Sequence, residues 1–251
     1  WPMAVSVPLA VAIATFVGGL FDRFFWRTLR NRGTGLIAMM VVSIGVSIAV
    51  RYVFLYQFGG QDIPWLIDHW AEHRAEHPFL IWEPKDASER TWTYAEFAEA
   101  TKRVAAGLAA RGVGVGDMVL IHAENCPEGV IGWYACARLG AVAVTTNTRS
   151  VAAEVNYFIT HTGCVGAITQ PKYAALVAEA GPDLGWVVVT EDNSGVPATA
   201  DELDHGRDSW DSLHSDAADV PTRQRDALLP AGILFTSGTT SKPKAVVHTH
   251  A

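Results

Sequence analysis

Positive charge and cysteine are both scarce in this 251-residue sequence. Lysine and arginine number 19 against 26 acidic residues, a net charge of −7. The deficit is uneven. Residues 1–60 carry five arginines and one aspartate, net +4; the remainder carries 14 basic and 25 acidic residues, net −11. An acidic body lacks the basic footprint that nucleic-acid binding requires. The three cysteines, Cys126, Cys136 and Cys164, are widely spaced. They match no zinc pattern and no disulfide framework, which points to a reducing compartment. The first residue is Trp1 rather than methionine, so the expectation is a piece of a longer reading frame.

Hydrophobic residues make up 49% of the chain, and many fall in two charge-free runs near its start. WPMAVSVPLAVAIATFVGGLF is 21 residues long and GTGLIAMMVVSIGVSIAV, residues 33–50, is 18. About 20 apolar residues span a bilayer core, so two transmembrane helices are expected over residues 1–60. A cleaved signal peptide, a pair of buried core helices, or a re-entrant second run are the alternatives. DRFFWRTLRNR between the runs holds four arginines, which makes it the cytoplasmic loop by the positive-inside rule. The stretch FFWRTLRNRGTGLIAMMVVSIGVSIAVRYVFLYQFGG resembles an internal portion of the membrane permease of branched-chain amino-acid ABC transporters. Thr28 stands where that family usually has proline. The match covers only a small part of a permease, so it implies no transport by this chain.

From Gln61 onward the pattern changes. Ile63, Leu66, Ile67 and Trp70 share one helical face, with Pro64 in the first turn. FLIW (79–82) predicts a strand. TYAEFAEATKRVAAGLAARG predicts a helix opened by a Thr93/Glu96 capping box and closed by Gly112. Strands follow at 117–123, 141–145, 165–169, 186–190 and 232–236. Helices are expected over 128–139, about 151–161 and 171–180. Such alternation implies βαβ units and a largely parallel sheet with flanking helices, an α/β fold. Residues 191–226, with ten acids and three arginines, read as an exposed, partly helical connection. His69, His73 and His77 recur at every fourth position of one helix. A metal site would need further ligands, and a solvated helix face is the better reading.

The chain closes on LFTSGTTSKPKAVVHTHA. A strand delivers Thr236, Ser237, Gly238, Thr239, Thr240 and Ser241; Lys242, Pro243 and Lys244 follow, and AVV predicts a second strand. Glycine lets backbone approach a ligand, while hydroxyls, N–H groups and lysines suit phosphate oxygens. Pro243 keeps Lys242 out of the helical region. The result is strand–loop–strand, without the G-x-x-x-x-G-K-[ST] spacing of a Walker A loop. On composition alone, an ordinary polar hairpin loop with lysines for solubility is the favoured reading.

LFTSGTTSKPKAVVHTH resembles the phosphate-binding signature of the adenylate-forming superfamily, which includes acyl-CoA synthetases and ligases. Ser241 and Ala245 stand where glycine is usual. SGTTS with the preceding LFT is similar to crotonobetaine/carnitine-CoA ligases. TWTYAEFAEATKRVAAGLAARGVGVGDMVLI, ENCPE and RLGAVAVTTNTRS resemble family stretches in order and spacing, with Thr145 where proline is common. The resemblance runs from about Gln61 to Ala251 and covers the first part of the large N-terminal domain of such a ligase. It implies ATP, Mg2+ and coenzyme A as cofactors and a small-molecule carboxylic acid as substrate. It assigns Thr236, Ser237, Gly238, Thr239, Thr240, Ser241, Lys242 and Lys244 to phosphate binding. Lys244 and His250 are the implied catalytic residues, His250 beside an acyl pocket; His248 reads as structural.

These readings conflict over location. Two spans flanking a cytoplasmic arginine loop would leave residues 61–251 outside, away from ATP and coenzyme A. The expectation is therefore a ligase portion, cytoplasmic in a natural enzyme and incomplete as it stands, joined near Gly60 by gene fusion or misassembly to a membrane segment. A transporter fragment is the competing description.

Overall fold

The computed structural model describes residues 15, 18, 19, 22, 23, 27, 40–50, 62–84, 87–193, 195–204, 206–223, 226–236 and 243–250. The chain divides into two compact units, Trp1–Gly59 and Gly60–Ala251. In the first, residues 40–50 form a helix whose Met40, Val41, Ile44 and Ile48 side chains are exposed. The two expected transmembrane helices fall mostly outside the described residues. Among the described residues no helix is long and apolar enough to cross a membrane. Most of residues 1–21, and residues 33–39 of the second run, lie outside the described residues.

The second unit opens with α1 (Ile63–His73), which Asp62 caps by accepting from the Trp65 N–H at 3.0 Å. A hairpin follows, β1 (Pro78–Trp82) antiparallel to β2 (Arg90–Thr93). α2 (Tyr94–Ala110) starts at the expected capping box: the Thr93 N–H donates to Glu96 at 2.9 Å, and the Glu96 N–H donates back to the Thr93 hydroxyl at 3.2 Å. Its buried stripe, Phe97, Thr101, Val104, Ala105 and Leu108, keeps helical spacing.

Then strand and helix alternate: β3 (Met118–His122), α3 (Pro127–Leu139), β4 (Val142–Thr145), α4 (Ala152–Thr162), β5 (Cys164–Thr169), α5 (Pro171–Ala180) and β6 (Val187–Val189). α3 ends at Gly140, whose φ of +72° favours glycine. β7 (Arg207–Ser209), β8 (Pro230–Thr236) and β9 (Lys244–Thr249) complete a seven-stranded sheet in the order β7-β6-β5-β3-β4-β8-β9. All neighbours are parallel except β9, which runs antiparallel to β8. The α/β expectation with a largely parallel sheet therefore holds.

Period-2 alternation sorts the side chains. Val119, Ile121, Ala143, Ile168 and Val188 pack on one face with residues of α1, α2 and α3. Leu120, Val142, Val144, Ala167 and Ile233 pack on the other with residues of α4 and α5. Arg138 locks the three helices of the first face together. Its guanidinium donates to both Asp68 oxygens, at 2.8 and 3.0 Å, and to the Thr101 hydroxyl at 2.8 Å. Burial works against ionised Asp68, but Arg138 and Lys102 outweigh it and hold the carboxyl below its ordinary range.

Residues 191–226 depart from expectation. The segment supplies β7 and a 3-10 turn at Trp210–Leu213, and both Trp210 and Leu213 are buried. The acids stay outside while these two apolar side chains plug the core beside α2. The approach is close: a Cβ on Gly107 would lie 1.9 Å from the Leu213 carbonyl oxygen.

Candidate functional site

Parallel α/β sheets bind ligands outside the carboxyl ends of their strands, where neighbouring strands send their connections to opposite faces. β3 leads into α3 on one face, whereas its neighbours β4 and β5 lead into α4 and α5 on the other. Two crevices result, one on each side of β3.

The β3/β5 crevice is closed by a polar knot. Glu124, just past β3, accepts from the Tyr173 hydroxyl at 2.6 Å, from Lys172 at 3.1 Å and from the Asn193 amide at 2.8 Å. Its backbone N–H donates to Gln170 at 2.8 Å, and Gln170 donates to Asn193. The Tyr173 hydroxyl, then Lys172, hold the Glu124 carboxyl below its ordinary range. His122 lies beneath, fully buried, with its Nδ1 2.8 Å from the Thr146 hydroxyl and its Nε2 without a partner. Burial lowers its pKa to about 4, so the ring is neutral at physiological pH.

The β3/β4 crevice is open. It leads into a cavity of about 510 Å3 lined by Leu80, Trp82, Val130, Trp133 and Tyr134, with polar groups from Asn125 and Thr145. α3 begins at this cavity, where the Cys126 sulfur accepts from the Gly129 N–H at 3.4 Å as the N-cap. The Cys126 thiol is pushed up to about 12 by burial, and Cys136 to about 12 and Cys164 to about 11 for the same reason. All three are free thiols and stay protonated near neutral pH, so none is a ready nucleophile.

The closing motif belongs to the same sheet edge. β8 lies beside β4, with Thr145 in register with Leu234, so Thr236 stands two residues beyond the cavity wall. Thr236 ends β8 and Lys244 begins β9, facing one another across the ladder. Ser237, Gly238, Thr239, Thr240, Ser241 and Lys242 lie outside the described residues. Lys244 is exposed.

His250 is not brought to this edge. β9 runs antiparallel, so it carries the chain to the opposite end of the sheet, where the His250 N–H donates to the Leu229 carbonyl at 3.2 Å. Six residues of strand put it about 20 Å from Lys244. The ring is buried with neither nitrogen partnered. Burial, then nearby Arg223, lower its pKa against the opposing pull of Asp62 and Asp226. His248, two residues earlier on β9, is exposed. The histidines of α1 spend contacts locally: His69 and His73 have ring centroids 4.1 Å apart, and Trp65 stacks on His69 at 4.8 Å. Among the described residues no group of three or more His, Cys, Asp or Glu side chains could hold a metal ion.

The Glu124 knot and buried His122 are not foreseen from the sequence. ENCPE carries the signal as a family stretch, but the partners Tyr173 and Asn193 lie about 50 and 70 residues away along the chain.

Known proteins match this unit and its motifs. A crotonobetaine/carnitine–CoA ligase of Citrobacter koseri is 31% identical over 196 residues, covering 76% of this chain and 37% of the relative. Acetyl-coenzyme A synthetase 2 of Pseudomonas aeruginosa is 35% identical over 199 residues, covering 73% and 30%. The inhibitor-bound crystal structure of the N-terminal domain of FACL13 from Mycobacterium tuberculosis superposes with a TM-score of 0.61 at 30% identity, covering 76% of this chain and 45% of that one. The chain thus spans about a third of the length of the curated relatives it matches. These matches lend no support to a permease segment, membrane attachment or transport. Residues 67–251 match the family described as AMP-binding enzyme, and the chain belongs to that family.

Proposed function

We propose that this chain serves an ATP-dependent, AMP-forming acid–CoA ligase and holds the β- and γ-phosphates of ATP between β8 and β9. The carrying observation is the Thr236–Lys244 pair at the carboxyl edge of a parallel sheet, flanking the hydroxyl-rich stretch 237–242, which also carries Lys242. The matching relatives, named as CoA ligases and CoA synthetases, support the same reading.

The chemistry follows from what a carboxylate lacks. Its carbonyl is a poor electrophile because the leaving group would be an oxide. Attack of the carboxylate oxygen on the α-phosphorus of ATP breaks the bond to the β-phosphate oxygen, forming an acyl-adenylate and releasing pyrophosphate. The thiol of coenzyme A then attacks the acyl carbon and displaces AMP. Charge builds on the departing pyrophosphate in the first step. A fixed lysine with oriented hydroxyl and backbone donors stabilises that charge where it develops. Magnesium would accompany the nucleotide phosphates and neutralise part of their charge, its usual mode in nucleotide sites. Lys244 suits this role, because it is exposed at the sheet edge and forms no ion pair among the described residues.

The test is titration of the 251-residue chain with magnesium–pyrophosphate and magnesium–ATP by calorimetry, with acid-dependent ATP–pyrophosphate exchange over a panel of carboxylic acids. Saturable pyrophosphate binding that is weakened by Lys244→Ala supports the reading. Absence of binding, or binding indifferent to Lys244, rejects it.

A further inference from the structure

We infer that Tyr157 of α4 is a positioning residue for Lys244, acting through the peptide bond that joins Pro243 to Lys244. The inference rests on the phosphate-holding role proposed above and adds to it a residue outside the loop motif.

The Tyr157 hydroxyl is aimed at the Pro243 carbonyl oxygen at 3.4 Å, a contact longer and weaker than an ordinary O–H···O hydrogen bond. That carbonyl shares a planar peptide with the Lys244 nitrogen, so holding its direction sets the direction in which Lys244 enters β9. On the other side of the Lys244 Cα, the Thr236 hydroxyl donates to the Lys244 carbonyl at 3.5 Å. The lysine is bracketed by two side-chain contacts to the backbone, one from a strand and one from a helix.

The helix is itself anchored. Phe158 packs on Phe235 with centroids 4.2 Å apart, and Phe235 is the register partner of Ala245. The Tyr157 ring stacks on His161 at 5.1 Å with an interplanar angle of 21° and meets Phe235 edge-on at 6.2 Å. α4 therefore grips β8 through Phe235 and reaches over to the head of β9 through Tyr157.

Lys244 needs such help for two reasons. β9 pairs with β8 on one side only among the described strands, so its first residue is where the ladder frays. A lysine is also a point charge on a flexible four-carbon stem, so the position of its Cα decides which phosphate oxygens it reaches. Packing alone would be served as well by phenylalanine at 157. The hydroxyl is the part that packing does not require, and it is the part aimed at the Pro243 carbonyl.

The experiment compares the 251-residue wild-type chain with Tyr157→Phe, Lys244→Ala and the double variant. Magnesium–pyrophosphate binding is measured by calorimetry, the ligand-free thermal midpoint by circular dichroism, and the Lys244 amide nitrogen resonance by NMR. That resonance responds to hydrogen bonding at the preceding carbonyl. Tyr157→Phe is expected to raise the dissociation constant about 2- to 3-fold, the low end of the worth of one hydrogen bond. The midpoint stays unchanged and the Lys244 resonance moves. In the Lys244→Ala background the same change adds nothing, because the two residues act in one path. The inference is overturned if Tyr157→Phe binds as wild type, or if its penalty is undiminished when Lys244 is already gone. A wild-type chain that binds no pyrophosphate overturns the phosphate-holding role itself, an outcome distinct from either of these.

Discussion

Thr236 and Lys244 are the last register partners of β8 and β9, and the Thr236 hydroxyl donates to the Lys244 carbonyl at 3.5 Å. The lysine charge is thus set at the carboxyl edge of the sheet, at the mouth of the stretch that carries the hydroxyl-rich motif.

From this placement, in an intact ligase that contains residues 61–251, Lys244→Ala slows the adenylation half-reaction on the order of 100-fold, the loss typical of removing one donor to developing charge. Thioester formation from a supplied acyl-adenylate is much less affected. Single-turnover kinetics of the two half-reactions checks this, and an unchanged adenylation rate removes Lys244 from the mechanism.

His122 makes stability depend on pH in a defined direction. Its buried ring has a pKa of about 4 against an ordinary value of 6.5. Above pH 6.5 it is neutral in both folded and unfolded chains, and its full contribution is present. As pH falls through 6.5 the unfolded chain takes up the proton first, so stability declines until about pH 4, where the folded chain protonates too. The loss attributable to His122 is about 3 kcal/mol across that window. His214 and His250, also lowered by burial first of all, add in the same direction. Urea denaturation between pH 7 and 4 should show a shallower slope in His122→Asn than in wild type; parallel slopes would contradict this account.

Glu124→Ala leaves the Tyr173 hydroxyl, Lys172 and the Asn193 amide without their shared acceptor. The site is partly open to solvent, so the expected cost is about 1 kcal/mol. Tyr173→Phe in the same background adds little, because the two share one hydrogen bond. A double-mutant cycle by chemical denaturation gives the coupling directly, and strict additivity would deny it.

Gly107→Ala forces a Cβ against the Leu213 backbone, where the carbonyl oxygen would be 1.9 Å away. A backbone cannot swing aside as a side chain can, so the cost is about 3 kcal/mol. A lowered thermal midpoint checks it. Ala109→Gly, on the less buried side of the same helix, loses only about 1 kcal/mol, the ordinary propensity difference.

Local features of the fold were legible because they depend on neighbours in the chain. The Thr93/Glu96 capping box, the short strands bounded by glycine and polar residues, and the phenylalanine and valine stripe of α2 follow from spacing alone. So did the two strands that flank the closing motif. β2 and β7, four and three residues long, were missed because such short strands carry too little alternation to stand out, and pairing is what makes them strands.

The tertiary structure decided which residues meet. Glu124, Tyr173 and Asn193 close one crevice beside β3 while the other stays open as a cavity; that choice depends on strand order, which no local pattern encodes. Lys244 and His250 sit six positions apart in one motif, yet an extended strand separates them by about 20 Å, and the antiparallel direction of β9 sends them to opposite edges of the sheet. The amino-acid sequence by itself determined the local elements and the family motif, because these arise from interactions within a few residues. The sheet determined the site, because backbone pairing between distant strands sets which side chains share an edge.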